Sequence, residues 1–180
     1  MIRLDYFGES DYKQLIKWSG DEAFLLQWAG PYFKFPLTEE QLDQYLEGAN
    51  DINKSGRLIY KAIEICTDTI VGHISLGGID RVNRSGRIGK VLIGSSSNRG
   101  KGIGEGMLKA ILKIGFEELK LHRISLGVFD FNERAIRCYE KVGFSREGLL
   151  RDARRFKDSY WNLIEMSMLE HEWRRTSLEG

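Results

Sequence analysis

Cysteine and proline are scarce in this chain, with two of each among 180 residues. Cys66 and Cys138 sit in apolar, patterned segments with no CxxC spacing and no histidine partner. That disfavours a disulfide framework and a zinc site, so we expect no bound metal and a reducing, cytoplasmic setting. Both prolines fall in Gly30-Pro31-Tyr32-Phe33-Lys34-Phe35-Pro36, an extended connection that continues neither neighbouring helix. No apolar run approaches the ~18 residues that span a bilayer, so no membrane partner is expected. The opening Met1-Ile2-Arg3-Leu4-Asp5 lacks a basic segment followed by an apolar one, and secretion is not expected. An excess of one charge is missing too. The formal net charge of +1 removes the electrostatic argument for nucleic acid as a partner.

What the chain has in excess is glycine, 20 residues or about 11% against a usual ~7%. The length suits one domain with one sizeable core, and no repeat, linker or low-complexity tract divides it. Alternating hydrophobicity predicts strands over 2–6, 57–66, 70–80, 86–94, 122–131, 145–156 and 160–169. A 3.6-residue period predicts helices over 10–18, 21–28, 38–51, from the segment 95–106 to about 120, and 133–142, the last closed by Gly143. Thr38 and Gln41 read as a capping box, with Leu37 and Leu42 at the hydrophobic-staple positions. Residues 67–69 read as the turn of a hairpin, and 176–180 are expected to fray. The order predicts a mixed α/β fold with an antiparallel start and one strand–helix–strand crossover.

The glycines concentrate in Arg99-Gly100-Lys101-Gly102-Ile103-Gly104, between a strand and its helix. Glycine lets the backbone approach a ligand closely, and a helix N-terminus offers unpaired N–H groups, so the pair makes an anion site suited to phosphate. Arg99 and Lys101 add formal charge there. The Walker pattern GxxxxGK[ST] is absent, and GxGxxG fails because its last position is Glu105 or Met107. A purely structural turn remains the alternative on these residues alone.

A second motif follows thirty residues on. Asn132, Ala135, Tyr139, Gly143 and Phe144 match N-x-x-A-x-x-x-Y-x-x-x-G-F, and Arg99, Gly102 and Gly104 match R/Q-x-x-G-x-G/A. With both motifs in order, the chain resembles the GNAT superfamily of acyl-CoA-dependent N-acetyltransferases over about residues 57–169, and more loosely before that. Residues 147–152 (Glu-Gly-Leu-Leu-Arg-Asp) and a strand ending in Met168-Leu169 resemble the branch of ribosomal-protein N-terminal and spermidine acetyltransferases. The resemblance implies a single domain over 1–180, with a substrate side at 1–56, a sheet and acetyl-CoA-binding core at 57–169 and a tail at 170–180. It implies a mostly antiparallel sheet splayed between its fourth and fifth strands and flanked by helices. It further implies that backbone groups of Val91, Leu92 and Ile93 pair with the pantetheine arm of acetyl-CoA. Residues Arg99, Gly100, Lys101, Gly102, Ile103 and Gly104 would hold the pyrophosphate, Asn132 would bond the pantetheine, and Ala135 would belong to the same cofactor site. Tyr139 would protonate the departing thiolate, its ordinary pKa near 10 matching that of an alkyl thiol. By spacing alone, Tyr139 reads as a core aromatic on one face with Ala135 and Ile136, and it is the motif around it that reverses this.

The general base departs from the family pattern. Arg87 stands where many relatives carry Glu, and an arginine cannot accept the proton. Asp130 is the replacement carboxylate we single out, with a solvated strand-end residue as its alternative. His73 reads as a core or surface histidine, and bulk water suffices as base if the acceptor amine has a low pKa. Cys138, next to Tyr139, is expected to point elsewhere, which argues against a covalent enzyme intermediate. Trp28, Tyr32 and Phe33 are candidates to line the acceptor pocket, with ordinary packing as the alternative. The acidic helix over 38–51 would attract a cationic amine, and the basic stretch 146–157 a phosphate or acidic peptide, unless both are solvated faces. The expected acceptor is a protein N-terminus or a small amine, and the expected assembly a monomer or homodimer. A non-catalytic acyl-CoA sensor on the same fold is the competing function.

Overall fold

The computed structural model describes residues 1–95 and 100–176. Its elements are β1 (Ile2–Tyr6), α1 (Tyr12–Trp18), α2 (Glu22–Ala29), α3 (Glu39–Leu46), β2 (Leu58–Glu64), β3 (Thr69–Asp80), β4 (Ser85–Ile93), α4 (Ile103–Lys113), β5 (Arg123–Phe129), α5 (Glu133–Val142), β6 (Ser145–Phe156), β7 (Ser159–Leu169) and α6 (Glu170–Thr176). The strands form one sheet in the order β1-β2-β3-β4-β5-β7-β6. Every neighbouring pair is antiparallel except β4 and β5, joined in parallel through α4.

Alternation along the strands feeds two cores, one on each face. From β2, Leu58, Tyr60 and Ala62 join Met107, Leu108, Ile111 and Leu112 of α4, whereas Ile59 joins Leu15, Leu25 and Leu42 from α1–α3. β3 divides likewise. Ile74 and Leu76 turn to the α4 side, while the ring of His73 turns to Phe7, Trp28 and Tyr45. The sheet is therefore the middle of three layers, apolar on both faces as a central α/β sheet must be.

Several helix ends differ from the expectation. Thr38 does cap α3, its hydroxyl accepting from the Gln41 N–H at 3.4 Å, but Gln41 does not close the box. Its amide instead accepts from Lys34 N–H and donates to the carbonyls of Lys34 and Pro36, pinning the proline loop to the helix. α3 stops at Leu46 rather than near 51, because Gly48 and Asn50 adopt left-handed backbone. Arg57 donates to the carbonyls of Gln44 and Glu47 at that end, where a cation complements the helix dipole. The helix expected to run to 120 loses α geometry at Lys113 and widens into a π turn over Ile114–Glu118. Residues 170–176, read as tail, form α6, seated by Trp173 stacked on Phe116 at 6.1 Å.

Candidate active site

β4 and β5 pair only over residues 85–87 and 123–125. Beyond Arg87 they part, and the cause lies in β4. His73 pairs with Leu92 but Ser75 with Gly89, so β4 carries one residue more than β3 across this stretch. The surplus is absorbed around Lys90, whose φ is +50. A bulge of this kind bends its strand and leaves backbone groups out of the ladder. Arg87 braces the root of the fork. Its guanidinium makes a two-pronged ion pair with Glu165 of β7, at 2.7 and 2.8 Å. To do so it crosses β5 over Gly127, where a Cβ would lie 2.5 Å from Nη2. The residue standing in the base position is thus a strut.

The fork opens a cavity of about 350 Å³. Val91, Leu92 and Ile93 line one side, and Leu126, Gly127 and Val128 the other. One end is closed by Gly100, Gly102, Ile103 and Gly104, where α4 begins. Gly102 is the N-cap of α4 with φ +75, and among the described residues no side chain caps the helix, whose first-turn N–H groups face the cavity end. Lys101 is exposed and is not part of the wall, while Arg99 lies outside the described residues. The cation found at the loop is Arg134, unforeseen from the sequence. It lines the cavity, and its Nη2 would lie 3.5 Å from a Cβ on Gly100. Its position two after Asn132, at the start of a helix facing the loop, was the available signal.

α5 supplies the opposite end. Asn132, Ala135 and Tyr139 all line the cavity. Asn132 caps α5 by accepting from the Ala135 N–H at 3.3 Å, which leaves its amide N–H₂ without a partner among the described residues. Tyr139 is 8% exposed, and its hydroxyl has no hydrogen bond among the described residues. Burial, with Cys138 adding to it, raises the phenol above its ordinary pKa and keeps it protonated. Cys138 corrects the sequence reading: it lines the cavity beside Tyr139. Burial raises its thiol too, the opposite of an activated thiolate. Asp130, the candidate base, lies apart. It does not line the cavity, and its carboxylate accepts from the side-chain amide of Asn162 on β7 at 2.9 Å.

The three aromatics expected at the acceptor side separate. Trp28 lines the cavity with Phe24 and Gln27 of α2, its indole N–H donating to the Ser19 carbonyl. Tyr32 lines a second cavity of about 470 Å³, together with Tyr45, Arg57, Ser75 and the exposed Glu47. Phe33 lines neither; it is 6% exposed, packed against Trp28, Tyr32 and Tyr45. Lys90 borders both cavities. Its Nζ lies 4.4 Å from the ring centre of Tyr32 and 4.9 Å from that of Tyr45. Burial, then the charge of Arg57, lowers its pKa to about 8. Behind it His73 is fully buried, with Nε2 at 3.3 Å from the Tyr45 hydroxyl and Nδ1 unpartnered among the described residues. Desolvation, then Lys90, lowers that ring to about 3, so it is neutral. A strand bulge gives no hydrophobic signature, which is why Lys90 escaped the sequence reading.

A sheet forked between its two parallel strands, with a helix N-terminus at one end and a buried phenol at the other, is the architecture of a GNAT acetyltransferase domain. The profile described as "Acetyltransferase (GNAT) domain" matches residues 2–145, and the chain belongs to that family. It is 35% identical over 140 residues to the SPbeta prophage-derived uncharacterized N-acetyltransferase YokL of Bacillus subtilis, spanning 77% of this chain and 75% of that protein. Identity is 32% over 108 residues with the spermidine N(1)-acetyltransferase of Escherichia coli K12, spanning 60% of this chain and 57% of that one. Across four Bacillus relatives the chain spans 56% to 78% of their length. The spermidine N-acetyltransferase of Vibrio cholerae, solved with CoA and spermine, shares the fold with a TM-score of 0.80 at 20% identity, covering 96% of this chain and 98% of that one. Among the described residues no cluster of His, Cys, Asp or Glu could hold a metal ion, and no helix is long and apolar enough to cross a membrane.

Proposed function

We propose that this protein moves the acetyl group of acetyl-CoA to a primary amine, of a small molecule or a protein N-terminus, by direct attack within a ternary complex. The observation that carries this reading is the forked cavity running from the open α4 N-terminus to Tyr139. The first-turn N–H groups of α4, assisted by Arg134, hold the diphosphate. The amide N–H₂ of Asn132 bonds the pantetheine, and the backbone groups of residues 91–93 on the edge facing β5, which has no strand partner there, orient the arm and face the thioester oxygen. A backbone N–H aimed at a developing oxyanion contributes about 3 kcal/mol in comparable sites.

The amine attacks the thioester carbon, the C–N bond forms, and the C–S bond breaks with its electron pair on sulfur. Tyr139 gives that sulfur its proton and recovers one from solvent, which also takes the proton released by the amine. The desolvation that raises the phenol raises the nascent thiolate beside it, so the two stay matched. Cys138, protonated in the wall, does not take the acetyl group. Water is assigned the role of base, because the Arg87 guanidinium cannot accept a proton and Asp130 does not line the cavity.

Calorimetry with coenzyme A and mass-spectrometric detection of acetylated amines test the reading. Tyr139→Phe is expected to lower turnover about 10²-fold, the contribution of a general acid, with coenzyme A affinity within twofold of the parent. Binding without thioester consumption against any amine would show a sensor, and absence of binding would overturn both readings.

A further inference from the structure

The second cavity carries a charge pattern that acetyl transfer to an arbitrary amine does not need. Its walls hold two cations, Lys90 and Arg57, and, among the described residues, one carboxylate, the exposed Glu47. Neither cation has an ion pair among the described residues. The Lys90 ammonium has no hydrogen-bond acceptor there either, only the faces of Tyr32, Tyr45 and, at 5.7 Å, Phe33. Arg57 lies 6.0 Å from the centres of the Tyr32 and Tyr45 rings. It spends one N–H on the Tyr32 hydroxyl and two on helix carbonyls, which leaves Nε–H and one Nη1–H unused.

A half-buried ammonium without an anion is costly and invites one. The aromatic faces that would cradle a cationic substrate are already taken by the protein's own Lys90. A second ammonium placed there meets two like charges, whereas a carboxylate meets three donors of Lys90 and the free edge of Arg57. Lys90 also borders the forked cavity, so a ligand held from one side of this residue extends toward the thioester on the other.

We infer that the acceptor is an amino-acid-like primary amine bearing a carboxylate, which Lys90 and Arg57 hold in the second cavity while the amine reaches the fork. This rests on the acetyl-transfer reading and narrows its substrate class. A polyamine, the substrate named for the spermidine acetyltransferase relatives, is then a poor acceptor for this chain.

The test is an acetyl-transfer assay with acetyl-CoA over a ladder of ω-amino acids of two to six carbons, each beside its terminal amide and the diamine of equal length. At the best length, kcat/KM for the acid is expected to exceed that for the amide and the diamine at least tenfold. Lys90→Met is expected to bring the acid-to-amide ratio near one, while Lys90→Arg keeps most of the preference and reports that the fold survives substitution. Equal or better turnover of amides or diamines at every length overturns the inference and leaves acetyl transfer standing. So does an acid preference that Lys90→Met does not change. Transfer to no member while acetyl-CoA binds also overturns it, and failure to bind acetyl-CoA overturns the acetyl-transfer reading beneath it.

Discussion

Gly102 turns the chain into α4 at φ +75, and a Cβ there would meet nothing within 4 Å. Any penalty for a side chain is therefore conformational, since L-residues enter the left-handed region with strain. Gly102→Ala is expected to destabilise the fold by about 1 kcal/mol and to weaken coenzyme A binding several-fold, read by thermal unfolding and calorimetry. Gly104→Ala is the control for stability alone: its φ is not left-handed, and its Cβ would sit in ordinary contact 3.4 Å from Cys138 Sγ, so the unfolding temperature is expected to hold. At this scale the sequence was legible wherever a residue type and its spacing carry the chemistry. The glycines, Asn132, Ala135 and Tyr139 all meet at one cavity. It was silent where only three dimensions decide. The partner of Asp130, Asn162, sits across the ladder on β7, and α5 brings both Cys138 and Tyr139 to the cavity wall; neither arrangement has a local sequence pattern.

The fork between β4 and β5 depends on a side chain of one strand crossing the backbone of the next. Gly127→Ala puts a Cβ 2.5 Å from Arg87 Nη2 and 3.1 Å from Leu163 Cδ2, so the strut to Glu165 must shift. A loss of about 0.5–1 kcal/mol is expected, the worth of a partly exposed ion pair, because the displaced atom is the far end of a flexible side chain. In an Arg87→Ser background the same change should cost less by at least ~0.5 kcal/mol, because the two positions are in contact. Urea unfolding of the four proteins in this cycle measures the coupling, and strict additivity would remove the strut. Strands were the most legible elements, since β2 and β3 feed opposite cores with alternate residues. Helix ends were the least. The end of α3 is set by Gly48, Asn50 and an arginine thirteen residues from its carbonyl partner at Gln44, and α6 is held by Trp173 on the distant Phe116. No local pattern announces such partners.

Across the whole molecule, the sheet seals His73 under the α1–α3 layer, where the ring titrates near 3 against an ordinary value of 6.5. Below about pH 6.5 the unfolded chain binds a proton at this ring that the folded protein refuses until about pH 3. The unfolding free energy therefore falls as the pH drops through that window, by at most ~1.4 kcal/mol per pH unit for one proton. Urea unfolding at pH 7, 6 and 5 should show a shallower fall for His73→Gln than for the parent, and identical slopes would place the proton elsewhere. Fold and cofactor end were readable in one dimension because two motifs name them. The second cavity was not, because Lys90, Arg57 and Tyr32 lie on three separate segments and converge only once the strands assemble. The bulge at Lys90 has a last consequence. Were β4 one peptide unit shorter there, it would run in step with β3, and the bend that turns it from β5 would be lost.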